Sequence, residues 1–481
     1  MFQQGLRRLV LVAALLAPAA GHAMLVNEEQ QRRDYLAAQD ALKAGNLARF
    51  RQLTDRLDGY VLHPHLEYEL IKDRVGTLTP AGVRAYLERA KGASVGDSIR
   101  KRWLYHLAAK KDWENFLKDY QEFEDEYELK CLRLQHLLKT AELQVGLMNE
   151  IGDLWLTSKR LPAACDPVFA AWKTAGHMTS EKVWDRIQLA MERRRPGHAQ
   201  ELAHYLEPKD RVWVTRWVEM HHDPAGNLAR LPYRVDTPPA RRVVRHGVVQ
   251  MAYRDPDEAM RQWERLKQKY YFFGEDDNYV WRHVGILAAQ MHLPSSVKWL
   301  AQVSADPADE NLHLWRVRAA LRFGEWETAK RFVSALTEEQ QKQPQWRYWK
   351  ARVLEKTGEL AEADKLYRTL ARERNYYGFL AADHLGLDYS MQHQPAEASP
   401  EDVTAMLARN GIRVAQEFYE MGLINDARRQ WHWLVRQMNN RELIVAAVIA
   451  RQWGWHDRAV LTVSKSDFHD DLDLRFPLLY R

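Results

Sequence analysis

The side chains here that could do chemistry come in short runs. His63 and His65 flank Pro64, and His221-His222-Asp223 is a continuous triplet. Two acidic runs, Glu122-Phe123-Glu124-Asp125-Glu126 and Glu275-Asp276-Asp277, could supply paired carboxylates. Histidines at helical spacing hold metal ions when further ligands converge on them, as in a His-Glu-x-x-His helix. Neither histidine run belongs to such a pattern, so ordinary surface or partly buried histidines account for both. Paired acids serve glycoside chemistry as acid, base or nucleophile. These runs read better as solvated helix ends and turns. Arg193-Arg194-Arg195, and Arg241-Arg242 with Arg245, could meet an anionic polymer, although a solvated face explains them more simply.

Such residues need elements to position them, and the chain first has to reach its compartment. Arg7 and Arg8 precede an apolar run from Leu9 to Leu16, followed by small residues up to Gly21 and Ala23. That order predicts a secretory signal peptide over residues 1–23, cleaved after Ala23. The apolar run is too short for a bilayer core of about 30 Å, and no later run is longer, so no transmembrane anchor is expected once the signal is removed. Losing Arg7 and Arg8 lowers the net charge from +5 to +3. So faint a basic bias is no nucleic-acid footprint. In an exported protein two cysteines suggest a disulfide. Cys131 and Cys165 lie 34 residues apart; a bond between them would stabilise by about 3–4 kcal/mol on the chain-entropy view. The alternative is two buried thiols that never meet. A zinc site is excluded by the lack of further ligands at metal spacing.

The same interval of 34 residues recurs as an internal period. Trp281, Trp315 and Trp349 repeat at it, as do Arg282 and Arg316, Arg318 and Arg352, Gly324 and Gly358, Ala329 and Ala363, and Leu336 and Leu370. Self-similarity of this length marks stacked helix-turn-helix units of the tetratricopeptide kind. The glycines should end each first helix in the left-handed conformation. The alanines should let the second helix approach closely, and the tryptophans should fill the gap between hairpins. Apolar spacing at i, i+3 and i+4 runs through the rest of the chain, for example in Gln30–Leu42, Ile99–Lys110 and Ala259–Tyr270. Alternating strand patterns are nearly absent. The expected fold is all-α: a superhelix of stacked hairpins forming a ring or horseshoe, because one hairpin cannot bury both faces.

Periodicity fails between Asp388 and Pro400, which predicts an extended connector over 389–400 after a superhelical domain of residues 24–388. A smaller helical unit, 401–470, follows. The last stretch, 471–481, includes the apolar run Phe476-Pro477-Leu478-Leu479-Tyr480. It reads as a junction toward a further domain rather than a loose terminus.

At these positions the chain resembles the soluble lytic murein transglycosylases. Asn375-Tyr376-Tyr377-Gly378-Phe379-Leu380-Ala381-Ala382-Asp383-His384-Leu385 is similar to the close of that family's long helical domain. Trp453-Gly454-Trp455-His456-Asp457-Arg458-Ala459, then Asp471-Leu472-Asp473-Leu474-Arg475-Phe476-Pro477, resembles the end of its linker domain. Tyr60-Val61-Leu62-His63-Pro64-His65-Leu66-Glu67-Tyr68 and the stretch from Leu129 to Pro167 also match. The resemblance implies a periplasmic, peptidoglycan-related protein with glycan strands, and cell-wall proteins besides, as partners. It implies no metal and no cofactor.

The family reaction cleaves the β-1,4 bond between N-acetylmuramic acid and N-acetylglucosamine and leaves a 1,6-anhydro end. A single glutamate in a Glu-Ser pair performs it. No Glu-Ser dipeptide occurs in this sequence, so no catalytic residue is carried over. The chain is therefore expected to be the scaffold, cut short before its reaction centre and inactive alone. The alternative is a free-standing, non-catalytic module that binds murein or a partner protein. The tryptophans could stack on sugars, but their regular spacing points to core positions.

Overall fold

The computed structural model describes residues 27–478 apart from 141–144, 305, 307–308, 392 and 469. The expected signal peptide and the last three residues lie outside the described residues. Every regular element among them is a helix, which is the all-α superhelix of stacked hairpins that the periodicity predicts. None is long and apolar enough to cross a membrane. Compactness divides the chain into two units. One comprises residues 134–392; the other joins residues up to 133 with residues 393 onward.

In the unit 134–392 the repeat logic is visible atom by atom. Helix Glu310–Arg322 ends at Gly324 and Pro344–Lys356 at Gly358, with φ of +70° and +94°. The left-handed turn lets Glu325 N–H reach Ala320 O at 2.9 Å and Glu359 N–H reach Leu354 O at 2.8 Å. Carbonyls that the helix leaves free are thereby satisfied. Ala329 and Ala363 are buried in the second helices, Trp326–Ser334 and Leu360–Leu370. The repeat arginines tie hairpins together. Arg282 donates twice to Asp309, and the buried Arg316 donates to the carbonyls of Leu300 and Val303.

The tryptophans depart from expectation. Trp281, Trp315 and Trp349 are half-buried and pack against the rim of the core. Small residues such as Ala320, Ala329 and Ala351 take the interior places, and close helix approach leaves the indoles outside. The fully buried tryptophans, Trp155, Trp172, Trp217 and Trp263 in this unit, lie off that register.

The other unit is built from the two ends of the described chain. Helices Leu47–Arg56 and His63–Ile71 share one core with Asn410–Glu420, Ile424–Val435, Asn440–Gln452 and His456–Val463. Tyr35, Phe50, Leu62, Ile412, Trp431 and Val445 are among its buried members. Glycine makes the approach possible. A Cβ on Gly411 would lie 2.6 Å from the Gly92 carbonyl oxygen and 2.5 Å from Leu434, so only glycine fits there. Gln430, 1% exposed, sews the same spot by donating to Gly92 O at 2.7 Å and accepting from Ser94 N–H at 3.0 Å. Asn410 donates to Lys91 O, and the Trp433 indole to Asp97.

The connector is strapped down rather than loose. Gln394 N–H donates to Asp470 O, Ala396 N–H to the Asp471 carboxylate, and Leu472 N–H to His393. Asp471 is 2% exposed and also caps helix Leu472–Arg475. Beyond that helix Phe476 and Leu478 are exposed.

Candidate functional site

Most residues singled out by sequence prove to be structural. No group of three or more His, Cys, Asp or Glu side chains that could hold a metal occurs among the described residues. His65 is half-buried, its ring edge-on against Phe418, and the desolvation pushes it down to about 4. His63 lies 3.6 Å from Glu67. In the acidic run the three glutamates meet cations: Glu122 pairs with Lys130, Glu124 with Arg436 and Glu126 with Lys101, while Asp125 accepts from the Tyr127 hydroxyl. Carboxylates held in ion pairs and hydrogen bonds in this way tie neighbouring helices together. Cys131 and Cys165 are both buried and both disulfide-bonded, and no cysteine is free.

Three of the remaining motifs, far apart in sequence, converge on helix Pro238–Ala252. Asp276, 1% exposed in the first turn of Gly274–Gln290, accepts from Arg245 at 3.1 Å and from Phe273 N–H at 3.1 Å. Its second oxygen sits 3.3 Å from Arg241 Nε. The two guanidiniums cover aromatic faces, Arg241 over Phe273 at 4.5 Å and Arg245 over Tyr279 at 4.4 Å. Alongside, His221 Nδ1 meets His246 Nε2 at 3.1 Å. Burial pushes His246 down to about 3 and His283 down to about 4, and it also lowers His221. These histidines are therefore neutral near neutral pH, so one ring of the His221–His246 pair donates and the other accepts. A closed core of this kind, with one carboxylate shared by two guanidiniums, holds neighbouring hairpins together and keeps its charged groups from solvent.

An open site lies elsewhere in the same unit, on the rim left by the repeat tryptophans. A cleft of about 470 Å³ is lined by Trp315, Trp346, Trp349 and Tyr377 together with Arg318 and Arg322. Trp346 is buried beneath it, Trp315, Trp349 and Tyr377 are half-buried, and both arginines are exposed. The Arg318 guanidinium lies 5.3 Å from the Trp315 ring centre. Aromatic walls with a few polar groups at the mouth are what small-ligand sites use. The spacing of Trp315 and Trp349 signals the cleft in sequence, but which indole face stays open does not follow from spacing.

Stacked helical hairpins, with a core shared between early and late helices, place this chain among α-superhelical scaffold proteins. Residues 406–472 match the soluble lytic murein transglycosylase L domain. Over 482 aligned residues the chain is 26% identical to the soluble lytic murein transglycosylase of Salmonella typhimurium, covering 98% of this chain and 73% of that protein. The Escherichia coli protein of the same name is 24% identical over 481 residues, with the same shares covered. Among solved structures, an inactive mutant of lytic transglycosylase Slt from Pseudomonas aeruginosa superposes with a TM-score of 0.84 at 31% identity. The match covers 93% of this chain and 73% of that one. The 70 kDa soluble lytic transglycosylase of Escherichia coli shares the fold, with a TM-score of 0.75 at 24% identity over 94% of this chain and 73% of that one. The chain belongs to the soluble lytic murein transglycosylase family.

Proposed function

We infer that these residues are the murein-engaging scaffold of a soluble lytic transglycosylase, working in the periplasm. In this reading residues 24–388 form the superhelical domain, 389–400 the connector and 401–470 the linker domain. The observation that carries it is the match along nearly the whole chain, at 31% identity, to a lytic transglycosylase of the same fold. The family cleaves N-acetylmuramic acid to N-acetylglucosamine β-1,4 bonds and releases 1,6-anhydromuropeptides. This sequence holds no Glu-Ser pair, so the 481 residues bind peptidoglycan without cleaving it. The leader Arg7-Arg8 with its apolar run, and the disulfide-bonded cysteines, support export to an oxidising compartment.

Purified protein should co-sediment with peptidoglycan sacculi, and mass spectrometry of the supernatant should find no anhydromuropeptides. Failure to sediment would remove the murein-engaging role. Release of anhydro products would overturn the claim of inactivity. Residues 1–23 fused to a reporter that folds only after export should give signal outside the cytoplasm, and a silent reporter would sink the assigned location.

A further inference from the structure

The tryptophan cleft holds cations that the protein leaves unneutralised, and a comparison of adjacent repeats shows why. Trp349 and Arg352 stand 34 residues after Trp315 and Arg318. Arg352 is matched on its own helix by Glu355 at 3.0 Å. The counterpart of Glu355 one repeat earlier is Leu321, so Arg318 lacks that carboxylate. Arg322 follows one turn later and lines the same cleft. Among the described residues neither arginine has an ion-pair partner. Two cations at i and i+4 repel each other. A bound anion would turn that repulsion into attraction, and the fork of a guanidinium suits a carboxylate.

The aromatic side of the cleft adds the second requirement. Trp315 and Trp349 each pack partly against the core and leave part of their surface on the cleft. Large flat rings with low conformational entropy suit the apolar face of a pyranose. A volume of about 470 Å³ falls within the usual range for small-ligand sites, roughly 300–1,000 Å³. We propose that this cleft binds an acidic saccharide, with a pyranose lying on the indoles of Trp315 and Trp349 and its carboxylate on Arg318 and Arg322. The assignment rests on the reading that the protein engages peptidoglycan, whose N-acetylmuramic acid bears a free lactyl carboxylate beside its sugar ring wherever the stem peptide has been removed.

Calorimetric titration of the full chain tests it with three probes: the disaccharide N-acetylglucosaminyl-N-acetylmuramic acid, neutral chitobiose, and an acidic tripeptide without sugar. The acidic disaccharide should bind about tenfold more tightly than chitobiose, the gain of a charge-assisted contact. The tripeptide should bind more weakly than the acidic disaccharide. The double reversal Arg318→Glu with Arg322→Glu should erase the preference while chitobiose binding stays within about twofold. Both arginines are exposed, so circular dichroism should show the fold intact.

Equal affinity for the two disaccharides, no binding of either, a preference that survives the double reversal, or a tripeptide as tight as the acidic disaccharide would each overturn the proposal. Sacculus sedimentation run in parallel separates the two readings. Retention on sacculi without disaccharide discrimination removes the cleft assignment alone. Discrimination without retention leaves the cleft an acidic-saccharide site and removes the murein role.

Discussion

Arg241 and Arg245 at one place in the unit 134–392, and Arg318 and Arg322 at another, are chemically the same pair in opposite surroundings. The first two, Arg241 buried and Arg245 largely so, pack against Asp276 and the faces of Phe273 and Tyr279. The second two face a cleft with aromatic walls and, among the described residues, have no carboxylate partner. A cation withdrawn from water must bring its counter-ion with it, because an unpaired buried charge costs several kcal/mol. A cation left at a cleft mouth keeps its hydration and remains available to a ligand. The difference separates side chains that hold the fold from side chains that are free to recognise something.

That contrast can be broken at either end. Asp276→Asn should have the largest effect, because it strands two guanidiniums in the core. A loss of about 3–5 kcal/mol is expected, measured as a lower urea midpoint. In the unit that joins early and late helices, Glu417 accepts from Arg32 twice at 2.9 Å and from the Tyr60 hydroxyl at 2.5 Å. Burial pushes the Glu417 carboxyl up, but these hydrogen bonds outweigh it and hold it below the usual range. Glu417→Gln should therefore cost about 2 kcal/mol, read by the same urea titration. If it costs nothing, the pair is ornamental. Gly411→Ala should cost about 1–3 kcal/mol by overpacking against the Gly92 carbonyl, with helical content retained.

Acid sharpens the comparison further. The histidines beside Arg245 have folded pKa values below the unfolded value of about 6.5. The unfolded chain therefore binds more protons below that pH. Their contribution is fully present above about 6.5 and is lost as pH falls toward about 4 for His283 and about 3 for His246. His246→Phe should make the fall in melting temperature across that window shallower, and an unchanged slope would count against the buried-neutral assignment. The smallest effect belongs to the cleft: Arg318→Ala with Arg322→Ala should cost no more than the ~0.5–1 kcal/mol of an exposed cation–π contact between Arg318 and Trp315, read from the urea midpoint.

The sequence was most informative where structure is local. The left-handed stops at Gly324 and Gly358 and the small residues Ala329 and Ala363 follow from one repeat read against the next, and the atoms obey them. The buried arginine core was visible only as separate runs, because nothing in Arg241, His221 or Asp276 alone says that three hairpins bring them together. The union of early and late helices was invisible for the same reason. Gly92 with Gly411, and Arg32 with Glu417, are partners chosen by tertiary packing. The repeat tryptophans were misjudged because spacing fixes which face of a helix a residue occupies, not how completely the next hairpin covers it. Leu321, at the place of Glu355 in the next repeat, was the one legible hint that Arg318 stands free.

The bond between Arg32 and Glu417 spans 385 positions of chain, and that separation sets an order of events in biosynthesis. Helix 27–43 and helix Leu47–Arg56 emerge more than 350 residues before helices Asn410–Glu420 to His456–Val463, which cover their apolar faces. Contacts of such long range form late, since the loop between them must be closed before they reward it. Until those later residues are made, the early helices stand with their inner faces bare, the state most open to aggregation and proteolysis. A holdase that shelters the leading helices until residues 410–463 arrive should therefore raise the yield of folded protein more than one acting on the repeats between.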